Sequence, residues 1–245
     1  MLHINGITDR GLLREANEDR FAGEVFAKDM GYAVICDGMG GMNGGSLASS
    51  IACEEIRRMV ESSLRPQMEQ RSVDLLIDSA IENANWMVLE KARQAGPEYL
   101  GMGTTLCMAL FHGTEVTIAN IGDSRCYLLR EGELRQLTTD HTVVQQMVQE
   151  GSLTPAEAAV HPERHLITRA VGVEENVTPD YISLLLAPGD TLLLCTDGLY
   201  NMLPPEELQA ALARSVENDD LGELIDEANA AGGLDNITAV VIHNS

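Results

Sequence analysis

The sequence predicts an α+β protein in which helices cover antiparallel sheets, and three observations carry that prediction. Two long segments space their apolar residues as amphipathic helices do, six short apolar runs read as strands around them, and short turns such as HGTE and REGEL join neighbouring runs as hairpins require.

Taken in order, YAVIC (32–36) is the first strand. Helices follow at 46–64, with Leu47, Ile51, Ala52, Ile56, Met59 and Val60 on one face, and at 72–95, with Val73, Leu76, Ile77, Ala80, Ile81, Ala84, Met87 and Val88. Trp86 and the helix methionines are read as core. TTLCMALF (104–111), EVTIANI (115–121) and CYLLR (126–130) are strands, with Gly103, Thr104 and Thr105 at a strand start. Segment 140–170 is partly helical but broken by Gly151, Pro155 and Pro162, so it is a packed excursion or a mobile cover; the sequence slightly favours the excursion. DTLLLCT (190–196) and ITAVVIH (237–243) complete the strands, and shorter helices fill 204–215, opening after Pro204 and Pro205, and 220–231. No linker, repeat or low-complexity tract divides the chain, so residues 1–245 are read as one domain.

Charge narrows the function classes. Lys and Arg number 16 against 38 Asp and Glu, a net charge of −22. Nucleic acid and anionic membranes both call for basic patches, so neither is an expected partner. The acidity reads mostly as a self-repelling surface, with some carboxylates left over as metal ligands. Five cysteines, odd in number and without a C-x-x-C pair, read as reduced thiols of a cytoplasmic protein. The first residues lack a signal-peptide layout, and no apolar stretch approaches the ~18 residues of a membrane span.

The aspartates recur at strand ends. Asp37 follows YAVIC, Asp123 follows TIANIG, Asp197 follows LLLCT, and Asp235 precedes NITAVVI. Pairing of those strands brings the carboxylates together, and hard cations such as Mg²⁺ and Mn²⁺ take oxygen ligands. Asp-Gly is also an ordinary turn pair, so this pattern alone leaves both readings open. Arg14, in LLREANEDRF beside Glu18 and Asp19, is a candidate phosphate hook. Other phosphate chemistries lack their residues: no cysteine has arginine six positions on, no D-x-D occurs, and Lys28 and Lys91 sit in no nucleotide-binding loop. His161 and His165 have helical spacing, but Pro162 and the want of a third ligand argue against zinc.

The stretches TDRGLLREANEDRF, ICDGMGGMNGGSLAS, GMGTTLCMAL, ANIGDSRCYLLREGELRQLTTDHT, HPERHLITRAVG, LLLCTDGLYNML and DNITAVVI, in that order, resemble the metal-dependent (PPM, type 2C) serine/threonine protein phosphatases, single-domain bacterial type. The resemblance implies a central β-sandwich of two antiparallel sheets flanked by pairs of α-helices, with two Mn²⁺ or Mg²⁺ ions at one end. Asp37 would bridge them, the Gly38 carbonyl would ligate one, and Asp197 and Asp235 would complete the other. Asp19, with Glu18 beside it, would hold waters on the ions, Arg14 would bind the substrate phosphate, and Asp123 would take a weaker third ion. Asn236 would support the site from a turn, and 140–170 would be the family's variable flap, which tilts that segment toward a cover.

Three positions depart from the family pattern: Met42 where histidine is usual, Ser46 where glutamate is usual, and His165 where asparagine is common. The first leaves no proton donor at that position. None touches the expected ligands, so the chain is expected to hydrolyse phosphoserine and phosphothreonine in proteins, with a hydroxide bridging the two ions as nucleophile. The rival is a silent phosphatase-like binding or regulatory module, whose mark would be a missing aspartate ligand. Phosphoproteins, including a cognate eukaryotic-like Ser/Thr kinase, are the partners this implies, and the chain is expected to be monomeric.

Overall fold

The computed structural model describes residues 1–41 and 44–245; Met42, one of the three departures, and Asn43 lie outside the described residues. One sheet runs in the order β1 (Leu2–Asp9), β11 (Ile237–Asn244), β10 (Thr191–Cys195), β7 (Arg125–Arg130), β8 (Glu133–Gln136). The other runs β2 (Asp19–Ala27), β3 (Met30–Met39), β5 (Leu106–His112), β6 (Glu115–Ile121), β9 (Asp180–Leu185), with the two-residue β4 (Gly103–Thr104) on β3. All pairings are antiparallel.

Four layers explain why the central strands are apolar without alternation. In β3, Ala33 and Ile35 point into the space between the sheets, where they meet Cys107, Leu128, Leu192, Leu194, Val240 and Ile242. Tyr32, Val34 and Cys36 point the other way, onto α1 (Gly44–Ser63) and α2 (Gln70–Ala95), against Ala52, Ile56, Ile77 and Ile81. On the outer face of the sheet that holds β10 and β11, Leu193, Cys195, Ala239 and Val241 pack under α6 (Pro205–Asn218) and α7 (Gly222–Ala230), through Leu208, Leu212 and Leu224. Strands covered on both faces need apolar residues at every position. Each fully buried Ile or Leu here stabilises the fold by roughly 1.5–3 kcal/mol.

The six central strands fall where the sequence puts them, except that 104–111 divides at Thr105 into β4 and β5. The helices at 46–64, 72–95, 204–215 and 220–231 correspond to α1, α2, α6 and α7. Segment 140–170 holds α3 (Val143–Gln149) and α4 (Pro155–Ala159), and α5 (Asp197–Tyr200) is a single turn after β10. All five cysteines are buried and unpaired. Trp86 is a correction: it is 59% exposed, and Met87 beside it is 37% exposed. The buried stripe of α2 runs through Val73, Ile77, Ala84 and Val88, and these two residues lie outside its arc. No helix of the described residues is long and apolar enough to cross a membrane.

Candidate active site

Strand ends and the loops that follow them build an acidic cavity of about 520 Å³ at one end of the sandwich. Asp37 and Gly38, near the end of β3, lie on its floor; Asp123 enters from the β6–β7 turn, Asp197 from the first turn of α5, and Asp235 from just before β11. Arg14 and Glu18 come from the β1–β2 loop. His165 and Ile167 come from the 140–170 segment, which therefore forms one wall as well as packing on the body. Its stem is tied down: the His141 N–H donates to the Gly122 carbonyl at 3.0 Å, the Thr168 N–H donates to the His141 carbonyl at 2.7 Å, and Thr142 bridges Ile167.

Close backbone passage dictates glycine at two positions. A methyl at Gly38 would run into the Gly45 carbonyl, and one at Gly198 would run into the Asn236 carbonyl. The DG pairs at 37–38 and 197–198 thus let acid-bearing strand ends approach neighbouring backbone.

Hydrogen bonds fix the acids. The Asp37 N–H donates to Thr105 Oγ1 at 2.9 Å, and its carbonyl accepts from Thr104 Oγ1 at 2.8 Å. Asp19 does not line the cavity; it lies buried behind the floor, opposite Asp37 in the β2–β3 register. Its Oδ2 accepts from Thr196 Oγ1 at 2.8 Å and Thr238 Oγ1 at 2.6 Å, while Oδ1 has no partner. Asn236 holds the β1–β2 loop: its Oδ1 accepts from the Glu18 N–H at 2.8 Å, and its Nδ2 donates to the Arg10 and Ala16 carbonyls at 2.9 Å each. Glu18 Oε1 accepts from the Ser46 N–H at 3.2 Å, in the first turn of α1. Tyr200 donates its hydroxyl to the Asp123 carbonyl at 3.0 Å, and Arg125, clamped by Asp140, lies 3.5 Å over the Tyr200 ring.

The electrostatics favour a cation. Burial, then repulsion from Asp19, Asp197, Asp123 and Asp235, pushes the Asp37 carboxyl well above the usual range. Burial raises Asp19 to about 7 against the lowering effect of its two threonines, and burial with Asp197 and Asp140 raises Asp123 to about 7. Among the described residues no three Asp, Glu, His or Cys side chains already stand together as a ligand group. Arg14 instead takes Asp235 Oδ2 at 2.7 Å, and Asn201 takes Asp197 Oδ2 at 3.1 Å, with His165 Nδ1 3.8 Å from that oxygen. A few carboxylates, a bare carbonyl and room for water suit hard cations that keep part of their hydration. The unpartnered Asp19 Oδ1 fits the same picture, because buried carboxylate oxygens otherwise find donors.

The Protein phosphatase 2C family model matches residues 14–223, most of the chain. The chain belongs to that family. This phosphatase 2C chain is 34% identical over 250 residues to the serine/threonine phosphatase stp of Listeria innocua, covering 100% of this chain and 96% of the relative. Its fold is similar to the serine/threonine phosphatase of S. agalactiae, with a TM-score of 0.91, 32% identity and 100% of both chains covered. It is similar too to the catalytic domain of the protein phosphatase PstP in complex with two manganese ions, with a TM-score of 0.82, 35% identity, and 99% of this chain and 97% of that one covered. The family's chemistry is metal-dependent hydrolysis of phosphoserine and phosphothreonine in proteins, and the chain is an enzyme of that class.

Two supporting residues of the phosphatase, Thr196 and Thr238, carry no mark in the sequence, and two that the sequence does single out, Thr105 and His165, take roles there that it does not assign. Thr105 between β4 and β5, Thr196 just after β10 and Thr238 near the start of β11 are all buried, where a hydroxyl among apolar neighbours is itself a signal. His165, which lacks the third ligand a zinc site needs, reaches the cavity from the 140–170 segment.

Proposed function

We propose that the acidic cavity holds two divalent cations, Mn²⁺ or Mg²⁺, with Asp37 between them, the Gly38 carbonyl on one, and Asp197 and Asp235 on the other. Asp19 and Glu18 fix waters around them, and Asp123 serves a weaker third ion. When bound, such ions supply an activated water and neutralise charge on the phosphoryl group. The chain does the rest. Arg14, 53% exposed and now held by Asp235, swings to grip two phosphoryl oxygens with its planar fork. Asn236 keeps the Arg14 loop at the right height, and Ile167 and His165 close one side.

One observation carries this reading: residues as distant in sequence as Arg14, Asp37, Asp123, Asp197 and Asp235 line a single cavity. The silent-module reading is not favoured, since none of the expected aspartates is missing. The flap at 140–170 belongs to one phosphatase domain spanning 1–245. The buried, unpaired thiols support a reducing, cytoplasmic setting, and the acidic surface supports a monomer. The substrates are phosphoproteins, a cognate eukaryotic-like Ser/Thr kinase among them.

An assay of an aryl phosphate and a phosphothreonine peptide tests it. Activity is expected with Mn²⁺, is lost in chelator, and falls on the order of 10²–10³-fold or more in Asp37→Asn. Chelator-resistant turnover, or full activity in the variant, would overturn it.

A further inference from the structure

On the outer face of the five-stranded sheet, at the margin of the layer formed by α6 and α7, three polar side chains form a row across three strands. Thr191 of β10 is in register with His243 of β11, and His243 with His3 of β1. Leu193 and Val241, two positions along their strands, are buried under the helices, so alternation puts Thr191 and His243 on that same face. Directly opposed residues carry their Cβ atoms roughly 4.5–5.5 Å apart, which lets two imidazoles reach one ion. His3, His243, Asn5, Ser215 and Asp219 line a cavity of about 220 Å³ there.

Independent features point to a ligand. Ser215, from α6, lines this cavity, and its hydroxyl is buried beside it with no hydrogen-bond partner; a helical serine commonly bonds the carbonyl one turn back. Thr191 Oγ1 lies 2.9 Å from His243 Nδ1, which leaves Nε2 as the free ring nitrogen, the arrangement that orients metal-binding histidines. Asp219 stands in the left-handed region, φ 52 and ψ 39, at the end of α6, where Asn5 Nδ2 holds its carboxylate at 3.1 Å. A carboxylate beside the carbonyl end of a helix attracts cations and repels anions. Imidazoles select late transition ions over Mg²⁺ and Ca²⁺. Burial and the neighbouring His3 lower the pKa of His243, which favours the neutral ligand form.

We propose that His3 and His243 form a second metal site, separate from the acidic cavity, which takes one divalent ion of the Zn²⁺, Ni²⁺ or Cu²⁺ class. No three Asp, Glu, His or Cys side chains are grouped among the described residues, so the two imidazoles are the protein's direct donors. Waters fill the remaining positions and bond to Asp219.

The test is a calorimetric titration of the full chain, free of any histidine tag, with Ni²⁺ in excess Mg²⁺, which keeps oxygen-rich sites filled. One Ni²⁺ per chain is expected to bind, and His3→Gln and His243→Gln are each expected to weaken it at least about tenfold, while Asp37→Asn leaves it unchanged. In the same excess of Mg²⁺, one equivalent of Zn²⁺ is expected to shift the imidazole resonances of His3 and His243 ahead of that of His165, which lines the acidic cavity. Melting in chelator checks that each variant folds; His3→Gln, on an edge strand, decides alone if His243→Gln does not. Failure to bind Ni²⁺ in excess Mg²⁺, unchanged affinity in the histidine variants, or loss in Asp37→Asn would overturn the proposal.

Discussion

Asp19 and Asp37 are register partners in the β2–β3 ladder, one buried behind the cavity floor and the other on it. Like charges directly opposite one another destabilise a sheet, and here two threonines hold Asp19 in place while its second oxygen has no partner. A cation beside the pair would offset that repulsion.

Thr238→Val removes one of those two hydroxyls and also its contact with Thr8 Oγ1 at 2.8 Å. Leaving a buried carboxylate short of a donor costs about 1–3 kcal/mol. A lower urea midpoint and a higher Mn²⁺ concentration for half-maximal activity are expected; an unchanged metal requirement would separate Asp19 from the metal.

Arg14→Ala is expected to raise KM for phosphopeptides about tenfold or more with little change in kcat, the pattern of lost ground-state binding. Because Arg14 pairs with Asp235, Mn²⁺ affinity should stay the same or tighten. A fall in Mn²⁺ affinity measured by calorimetry would contradict the assigned role.

Asn236→Ala frees the β1–β2 loop by deleting three hydrogen bonds. A loss of about 2–4 kcal/mol is expected at roughly 1 kcal/mol per bond plus the unpaired groups left behind, read from denaturant unfolding. A drop in kcat/KM is expected even at temperatures where the variant is fully folded.

Asp19 and Asp123 are both raised to about 7, chiefly by burial. A carboxyl raised above its unfolded value contributes stability that is fully present below the unfolded pKa and lost as pH rises through the folded one. Chelator-treated protein should therefore melt higher at about pH 5 than at about pH 8, and saturating Mn²⁺ should remove most of that drop. Scanning calorimetry across this window checks the sign; in chelator, a melting temperature that climbs with pH would refute it.

How much of this was legible in the residues depends on burial. The six strands read from sequence, β3, β5, β6, β7, β10 and β11, are the interior strands of the two sheets, covered on both faces and so marked by unbroken apolar runs. The other four, β1, β2, β8 and β9, are the sheet edges; DYISLL of β9 alternates half-buried and exposed, and its signal is weaker. Trp86 was misplaced because hydrophobic identity does not fix which side of a helix a residue occupies when the buried arc is already full.

Local spacing and ordered motifs were enough for the layered α+β class, the strand-end position of Asp37, Asp123, Asp197 and Asp235, and the metal-dependent phosphatase family. It took the folded chain to put Asp19 behind Asp37 in direct register, to rest Arg14 on Asp235, to set Thr105, Thr196 and Thr238 against the acids, and to bring His165 to the cavity. Those relationships join residues up to 221 positions apart, and no local periodicity encodes the register of one strand against another.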